Sequence, residues 1–171
     1  PIEAGIQARN IAPGLIRDQF GFETWPSFDP VLWQQLGQAA QAEQTASLTA
    51  PILGSDLDGE VIQQARHNAS SSGLGNQVMF SQQDLVDIEA PADKGILLCN
   101  PPYGERLGER QELGRLYKQL GDVLKQRFKG WTAYVLSGNK SLAKHIGLKS
   151  AQRFPVYNGS LPCQLMKYEL Y

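Results

Sequence analysis

Apolar positions along the chain switch between helical and strand spacing in a regular order. Ile2 and Ile6 share a face behind Pro1, so the first nine residues read as a helix start, broken by Pro13-Gly14. Residues 15–29 place Phe20, Phe22, Trp25 and Phe28 among polar and turn residues, an aromatic-rich irregular connection. Asp29-Pro30 predicts a helix opening, with Val31, Leu32, Leu36 and the alanines through Ala46 continuing it to a stop at Pro51. Ile52-Leu53-Gly54-Ser55-Asp56 then reads as a short strand ending in an acid, and Asp58 caps a helix through Val61, Ile62, Ala65 and Ala69.

Val78-Met79-Phe80 predicts a second strand, followed by a polar turn with Asp84. Gly95-Ile96-Leu97-Leu98-Cys99 is apolar throughout, as expected of a strand buried on both faces. A helix of roughly 17 residues follows, with Leu113, Leu116, Leu120, Val123 and Leu124 on one face and Arg115, Lys118, Lys125 and Arg127 elsewhere. Trp131–Leu136 reads as a fourth strand, Ser141–Ile146 as a short helix, and the C-terminus as two strands about Asn158-Gly159, a hairpin signal. Strands alternating with helices, then an antiparallel hairpin, predict an α/β doubly wound fold occupying 1–171 as a single domain. Ligands of such sheets collect at the carboxyl ends of the strands. Asp56, Asp84 and Asn100, each ending a strand, are therefore expected to converge on one crevice.

Composition narrows the setting. No apolar run approaches the roughly 20 residues of a membrane span, and no basic-then-apolar leader opens the chain, so a soluble cytoplasmic domain is expected. Cys99 and Cys163 match no zinc spacing and are too few for a disulfide framework. Net charge is −1 overall, yet unevenly spread. Residues 1–93 hold 3 basic and 12 acidic groups, while residues 94–171 hold 13 basic and 5 acidic ones. That asymmetry suits a region meeting a polyanion, although solvated lysines on surface helices give the same count.

The densest chemistry is Asn100-Pro101-Pro102-Tyr103, directly after the apolar strand. Consecutive prolines stiffen the backbone and remove two N–H donors, leaving carbonyls without partners in the chain. An amide side chain, a free carbonyl and an aromatic ring are thus offered together. An exocyclic amine on a planar base matches these acceptors. Its lone pair is delocalised into the ring, and hydrogen bonds favouring a pyramidal nitrogen return that pair for attack, while Tyr103 stacks on the base.

The tetrapeptide resembles the fourth motif of class I S-adenosylmethionine-dependent amino-methyltransferases, which act on adenine N6, cytosine N4, guanine N2 or a glutamine amide. The longer run Asn100-Pro-Pro-Tyr-Gly-Glu-Arg-Leu-Gly108, with Gly54-Ser-Asp-Leu-Asp58 and Asn158-Gly-Ser-Leu-Pro-Cys163, is similar to the bacterial 23S ribosomal RNA guanine-N2 methyltransferases of the L and fused K/L type. The resemblance implies a Rossmann-like class I methyltransferase sheet with a C-terminal antiparallel hairpin, S-adenosylmethionine as cofactor, no metal, and large-subunit ribosomal RNA as partner. It also implies a THUMP domain upstream in the parent protein. In that family a first strand and glycine-rich loop precede a helix reading Ile-Glu-Ala. Here Pro1-Ile2-Glu3-Ala4 opens the sequence, so the chain is expected to be a fragment without that strand and loop.

Asn100, Pro101, Pro102 and Tyr103 are accordingly the expected catalytic residues. Asp56, with Leu57 beside it, suits two adjacent ribose hydroxyls. Asp84 suits the adenine amine, with Leu85 packing on the ring; a plain turn aspartate is the alternative. Arg106 is placed to hold a phosphate or base edge, or else pairs with Glu105 or Glu109. Glu3 reads as a solvated first-turn residue, His67 and His145 as surface residues, Cys99 as a buried apolar one, and Trp25 and Phe28 as loop packing. Methyl transfer from a sulfonium needs alignment and amine activation, with no dedicated base. The alternatives are the same fold acting on adenine N6 or a protein glutamine, and a non-catalytic nucleic-acid-binding module.

Overall fold

Pro1 and Asp29 each begin a helix for a local reason. Pro1 precedes α1 (Ile2–Ala8), whose Ile6 turns inward and is buried. The Asp29 carboxylate accepts the Val31 and Leu32 amides at 2.9 and 3.0 Å, and Pro30 has no amide to leave unpaired, so α2 runs Pro30–Ala42. Such a cap contributes about 1 kcal/mol. The helix stops short of the expected Ala46. Asn10 donates its side-chain amide to the Glu43 carbonyl at 3.0 Å, Thr45 donates its amide to the Arg9 carbonyl at 2.9 Å, and the Arg9 guanidinium donates to the Thr45 carbonyl. These bonds draw the chain onto the end of α1 and out of helical register.

A computed structural model describes residues 1–103 and 110–171, which form two compact units, 1–83 and 84–171. In the first, β1 (Ile52–Asp56) pairs in parallel with β2 (Val78–Gln82), and α3 (Gly59–Ser71) connects them. Asp58 caps α3 as expected, accepting the Glu60 amide at 2.8 Å. Ile6, Ile11, Ala69, Leu74 and Val78 form the apolar centre. The aromatic connection is a cluster in its own right: Phe22 lies 5.3 Å from Phe20, 5.1 Å from Trp33 and 5.9 Å from Phe28, ring centre to ring centre.

The second unit holds a four-stranded sheet in the order β3-β4-β6-β5. Strand β3 (Ile96–Cys99) runs parallel to β4 (Thr132–Ser137), which runs antiparallel to β6 (Leu161–Glu169), itself antiparallel to β5 (Gln152–Asn158). The hairpin turns at Gly159-Ser160, with Gly159 at φ +60°, a conformation glycine adopts without steric cost. Helix α4 (Arg110–Arg127) sends Leu113, Tyr117, Leu120 and Leu124 against Ala133, Val135, Met166 and Tyr168. Each such buried side chain contributes about 1.5–3 kcal/mol.

One expectation about β3 fails. Leu97 and Cys99 pack into this core, but Ile96 and Leu98 are 72% and 73% exposed. The cause is topological: β3 is the terminal strand of its sheet, and the α4 core covers one face only, so an all-apolar sequence reads as doubly buried where a single face is.

After β4 the chain forms the short helix α5 (Lys140–Ala143) and a 3-10 turn, Lys144–Ile146. Gly121 on α4 makes this possible. A Cβ there would lie 1.9 Å from the Ile146 carbonyl oxygen, so only glycine lets α4 touch the backbone after α5.

Candidate functional site

Asn100 follows the last residue of β3, where ligands of parallel sheets are met. Its side chain is exposed, and its Oδ1 accepts the Tyr103 hydroxyl. Pro101 is buried and Pro102 exposed, and neither carbonyl has a hydrogen-bond partner among the described residues. The amide side chain is therefore turned to solvent and held by one phenol, with both prolyl carbonyls open among the described residues.

Tyr103 is anchored from several directions. Its carbonyl accepts Nδ2 of Asn139 at 3.2 Å. Its ring lies over Gly138, where a Cβ would come within 3.2 Å of Tyr103 Cδ2, 2.9 Å of Leu161 Cδ2 and 3.3 Å of Cys163 Sγ. Burial first, then the adjacent Cys163 thiol, push the hydroxyl above its ordinary pKa, with Asn158 opposing. The phenol is thus a neutral donor at neutral pH.

Asn139 and Ser137 escaped the sequence reading. Asn139 Oδ1 caps α5, accepting the Ser141 and Leu142 amides at 3.0 and 3.1 Å, while its Nδ2 holds Tyr103. Ser137 Oγ, buried, donates to the Asn139 carbonyl at 3.2 Å and accepts the Asn139 amide at 3.1 Å. Its single proton is thereby committed, so the Tyr117 hydroxyl 3.1 Å away donates to it. A signal existed: Ser137-Gly138-Asn139 ends a strand and precedes a helix, the same station that Asp56 and Asn100 occupy on theirs. Cys99, half-buried, has its thiol pushed up to about 11 by burial, which removes it as a nucleophile.

Of the other predicted residues, Asp56 ends β1 and Asp84 lies just past β2. Asp56 is exposed at the end of β1; one carboxylate oxygen accepts the Asp58 amide at 2.9 Å, and the second has no partner among the described residues. Leu57 beside it is 66% exposed. Asp84 accepts the Val86 amide at 3.0 Å and caps a 3-10 turn, again with one oxygen open among the described residues. Leu85 is half-buried and packs into the second core. Arg106 lies outside the described residues. Glu3, His67 and His145 are exposed, and Trp25 sits in the aromatic cluster, 6.5 Å from Phe22. Among the described residues no group of three or more His, Cys, Asp or Glu is placed to hold a metal.

Parallel strands followed by helices, a terminal antiparallel hairpin, and Asn-Pro-Pro-Tyr at a strand end define a class I methyltransferase fold. Residues 1–167 match the family described as UPF0020, RMKL-like, methyltransferase domain, and the chain belongs to it. It is 55% identical over 170 residues to slr0064 of Synechocystis, provisionally named an RNA methyltransferase, matching 99% of this chain and 44% of that protein. It is 40% identical over 173 residues to ribosomal RNA large subunit methyltransferase K/L of Shewanella frigidimarina, matching 99% of this chain and 24% of that one. Among solved structures it superposes on SMU.472, provisionally assigned as a methyltransferase and complexed with SAH, at TM-score 0.91 and 34% identity, covering 99% of this chain and 45% of that one. A predicted N6-adenine-specific DNA methylase of Listeria monocytogenes gives 0.89 and 32%, covering 100% and 43%. The chain spans less than half the length of each of these proteins.

Proposed function

We propose that this chain is the catalytic domain of an S-adenosylmethionine-dependent methyltransferase that modifies the exocyclic N2 amine of a guanine in 23S ribosomal RNA. The observation that carries the reading is the stiffened bend after β3, with Asn100 exposed and the Pro101 and Pro102 carbonyls without a partner among the described residues. Asn100 Oδ1 and the Pro101 carbonyl accept the two amine hydrogens, Pro102 keeps the bend rigid, and Tyr103 stacks on the base. Asn100 Oδ1 has two lone pairs, so it accepts the amine while it retains the Tyr103 hydroxyl.

The chemistry of the donor set fits the cofactor. Asp56 and Asp84 each keep one unpaired carboxylate oxygen among the described residues at or just past a strand end, suited to a ribose hydroxyl and an adenine amine, with Leu57 and Leu85 as their apolar neighbours. When bound, the cofactor supplies a methyl group on a sulfonium, a leaving group already in place. The chain's own residues draw the amine hydrogens out of the base plane and restore the nitrogen lone pair. Asn100 and Pro101 would aim that nitrogen at the methyl group the cofactor would supply, and the extra proton on the methylated nitrogen would pass to water. Orientation supplies most of the acceleration in such a step. The base must leave its stack to reach Asn100.

Guanine N2 is favoured by the resemblance of the run 100–108 and by the K/L relative's ribosomal name. Adenine N6 is the second reading, favoured by the name of the Listeria structure. Nucleoside mass spectrometry of ribosomal RNA treated with the full-length parent separates N2-methylguanine from N6-methyladenine. In that protein Asn100→Ala is expected to lower turnover on the order of 10²-fold, with S-adenosylmethionine affinity by calorimetry unchanged. Near-normal turnover in this variant rejects the assignment.

A further inference from the structure

Between Val123 and Tyr168 the chain has eight Lys and Arg residues and no Asp or Glu. Three of the eight are answered from outside that stretch: Arg127 by Glu89 at 2.9 Å, Lys125 by Asp122 at 3.6 Å, and Lys167 by Glu169 at 2.7 Å. Lys140 and Lys144 have no ion-pair partner among the described residues. They stand one helical turn apart and exposed, because Leu142 and Ile146 between and beyond them take the buried side.

Packing gathers more positive charge onto the same face. The contact of Gly121 with the Ile146 carbonyl brings α4 against the turn after α5, and Lys125 Nζ comes to 3.1 Å from where a Cβ on Gly147 would lie. The face therefore runs from Lys125 past Lys144 to Lys140. It ends at Asn139, which holds the Tyr103 carbonyl. A strip whose two unanswered cations are Lys140 and Lys144, with Lys125 held by Asp122 at its far end, thus abuts the bend that presents Asn100.

We infer that the face carrying Lys140 and Lys144 binds the phosphates of the nucleotides flanking the base offered to Asn100. The inference rests on the reading of an RNA substrate and deepens it by assigning the backbone contacts. A base drawn from its stack brings its own phosphates to the mouth of the site. Two lysines there neutralise them and release condensed counterions, which gives affinity and positions the strand without reading sequence.

The test uses the full-length parent and a fluorescein-labelled, guanine-containing single-stranded oligoribonucleotide, titrated at several salt concentrations. Replacing both lysines (Lys140→Gln with Lys144→Gln) is expected to weaken binding about tenfold near physiological salt. Losing two single-strand phosphate contacts lowers the slope of log K against log salt by about 1.4. Melting temperature and S-adenosylmethionine affinity stay at wild-type values, since neither side chain is buried. Wild-type affinity and salt slope in the double variant, beside a parent that methylates ribosomal RNA, overturn the surface assignment and leave the catalytic reading standing. A parent that neither binds the oligonucleotide nor methylates ribosomal RNA overturns both.

Discussion

Asn139 joins two features that the sequence keeps 36 residues apart: its Nδ2 donates to the Tyr103 carbonyl at 3.2 Å while its Oδ1 caps α5. One side chain thereby fixes the bend after β3 to the helix after β4. The two duties can be separated. Asn139→Asp keeps the capping oxygen but turns an oxygen that cannot donate toward the Tyr103 carbonyl, so the tether is lost while the α5 cap remains, and the melting temperature falls less than in the Ala variant. Turnover of the full-length protein falls between about 10- and 100-fold as the bend loses its tether. Asn139→Ala loses both functions and adds about 1 kcal/mol of destabilisation. Full activity in the Asp variant removes the positioning role.

The Tyr103 hydroxyl is a smaller lever. It holds Asn100 Oδ1 in place, and its raised pKa keeps it a donor through the neutral range. Tyr103→Phe retains the ring over Gly138 and frees the Asn100 side chain to rotate. One net hydrogen bond, about 1 kcal/mol, corresponds to roughly a fivefold loss of turnover. Tyr103→Ala removes the ring as well, so its KM for RNA rises beyond that of the Phe variant. Equal effects from Phe and Ala in steady-state kinetics would show that stacking contributes nothing.

The elements were legible because local chemistry writes them plainly. Asp29, Asp58 and Gly159 each mark a boundary with a cap or a turn, and the structure uses all three. The bend at Asn100 was legible for the same reason, since two prolines dictate an extended, donor-poor backbone without reference to the rest of the chain. What the sequence hid was tertiary. The exposure of Ile96 and Leu98 depends on which strand ends the sheet, and the role of Asn139 depends on Tyr103 arriving beside it. Gly121 looks like an unremarkable interruption of α4 until the Ile146 carbonyl is placed against it.

That contact makes Gly121 a sharp test of the second unit's packing. A methyl group 1.9 Å from a backbone oxygen cannot be relieved by a rotamer change, so α4 and the turn after α5 must part. Gly121→Ala should cost about 3 kcal/mol or more despite the helix preference of alanine. Urea unfolding of the chain measures it. A stability equal to or above wild type would mean that α4 and the 144–146 turn lie farther apart.

Cys99 supplies a pH dependence whose sign follows from burial. Its thiol is pushed from an ordinary 9.0 to about 11 in the folded chain, because the core favours the neutral form. Below pH 9 the thiol is protonated in both folded and unfolded chains and contributes no pH dependence. Between pH 9 and about 11 the unfolded chain releases this proton and the folded chain keeps it, so stability falls as pH rises through that window. Tyr103, Tyr117 and Tyr168 are raised by burial as well and extend the decline above the ordinary tyrosine range. Cys99→Ala is therefore expected to flatten the early part of the decline, between pH 9 and 10, and to leave the later part in place. The same burial suppresses the thiolate at pH 8 by about a hundredfold relative to an ordinary cysteine, and alkylation by iodoacetamide slows in proportion. Denaturant melts across alkaline pH, paired with alkylation rates read by mass spectrometry, check both halves. Rapid labelling of Cys99 in the native chain at pH 8 would place its side chain at the surface instead of in the core.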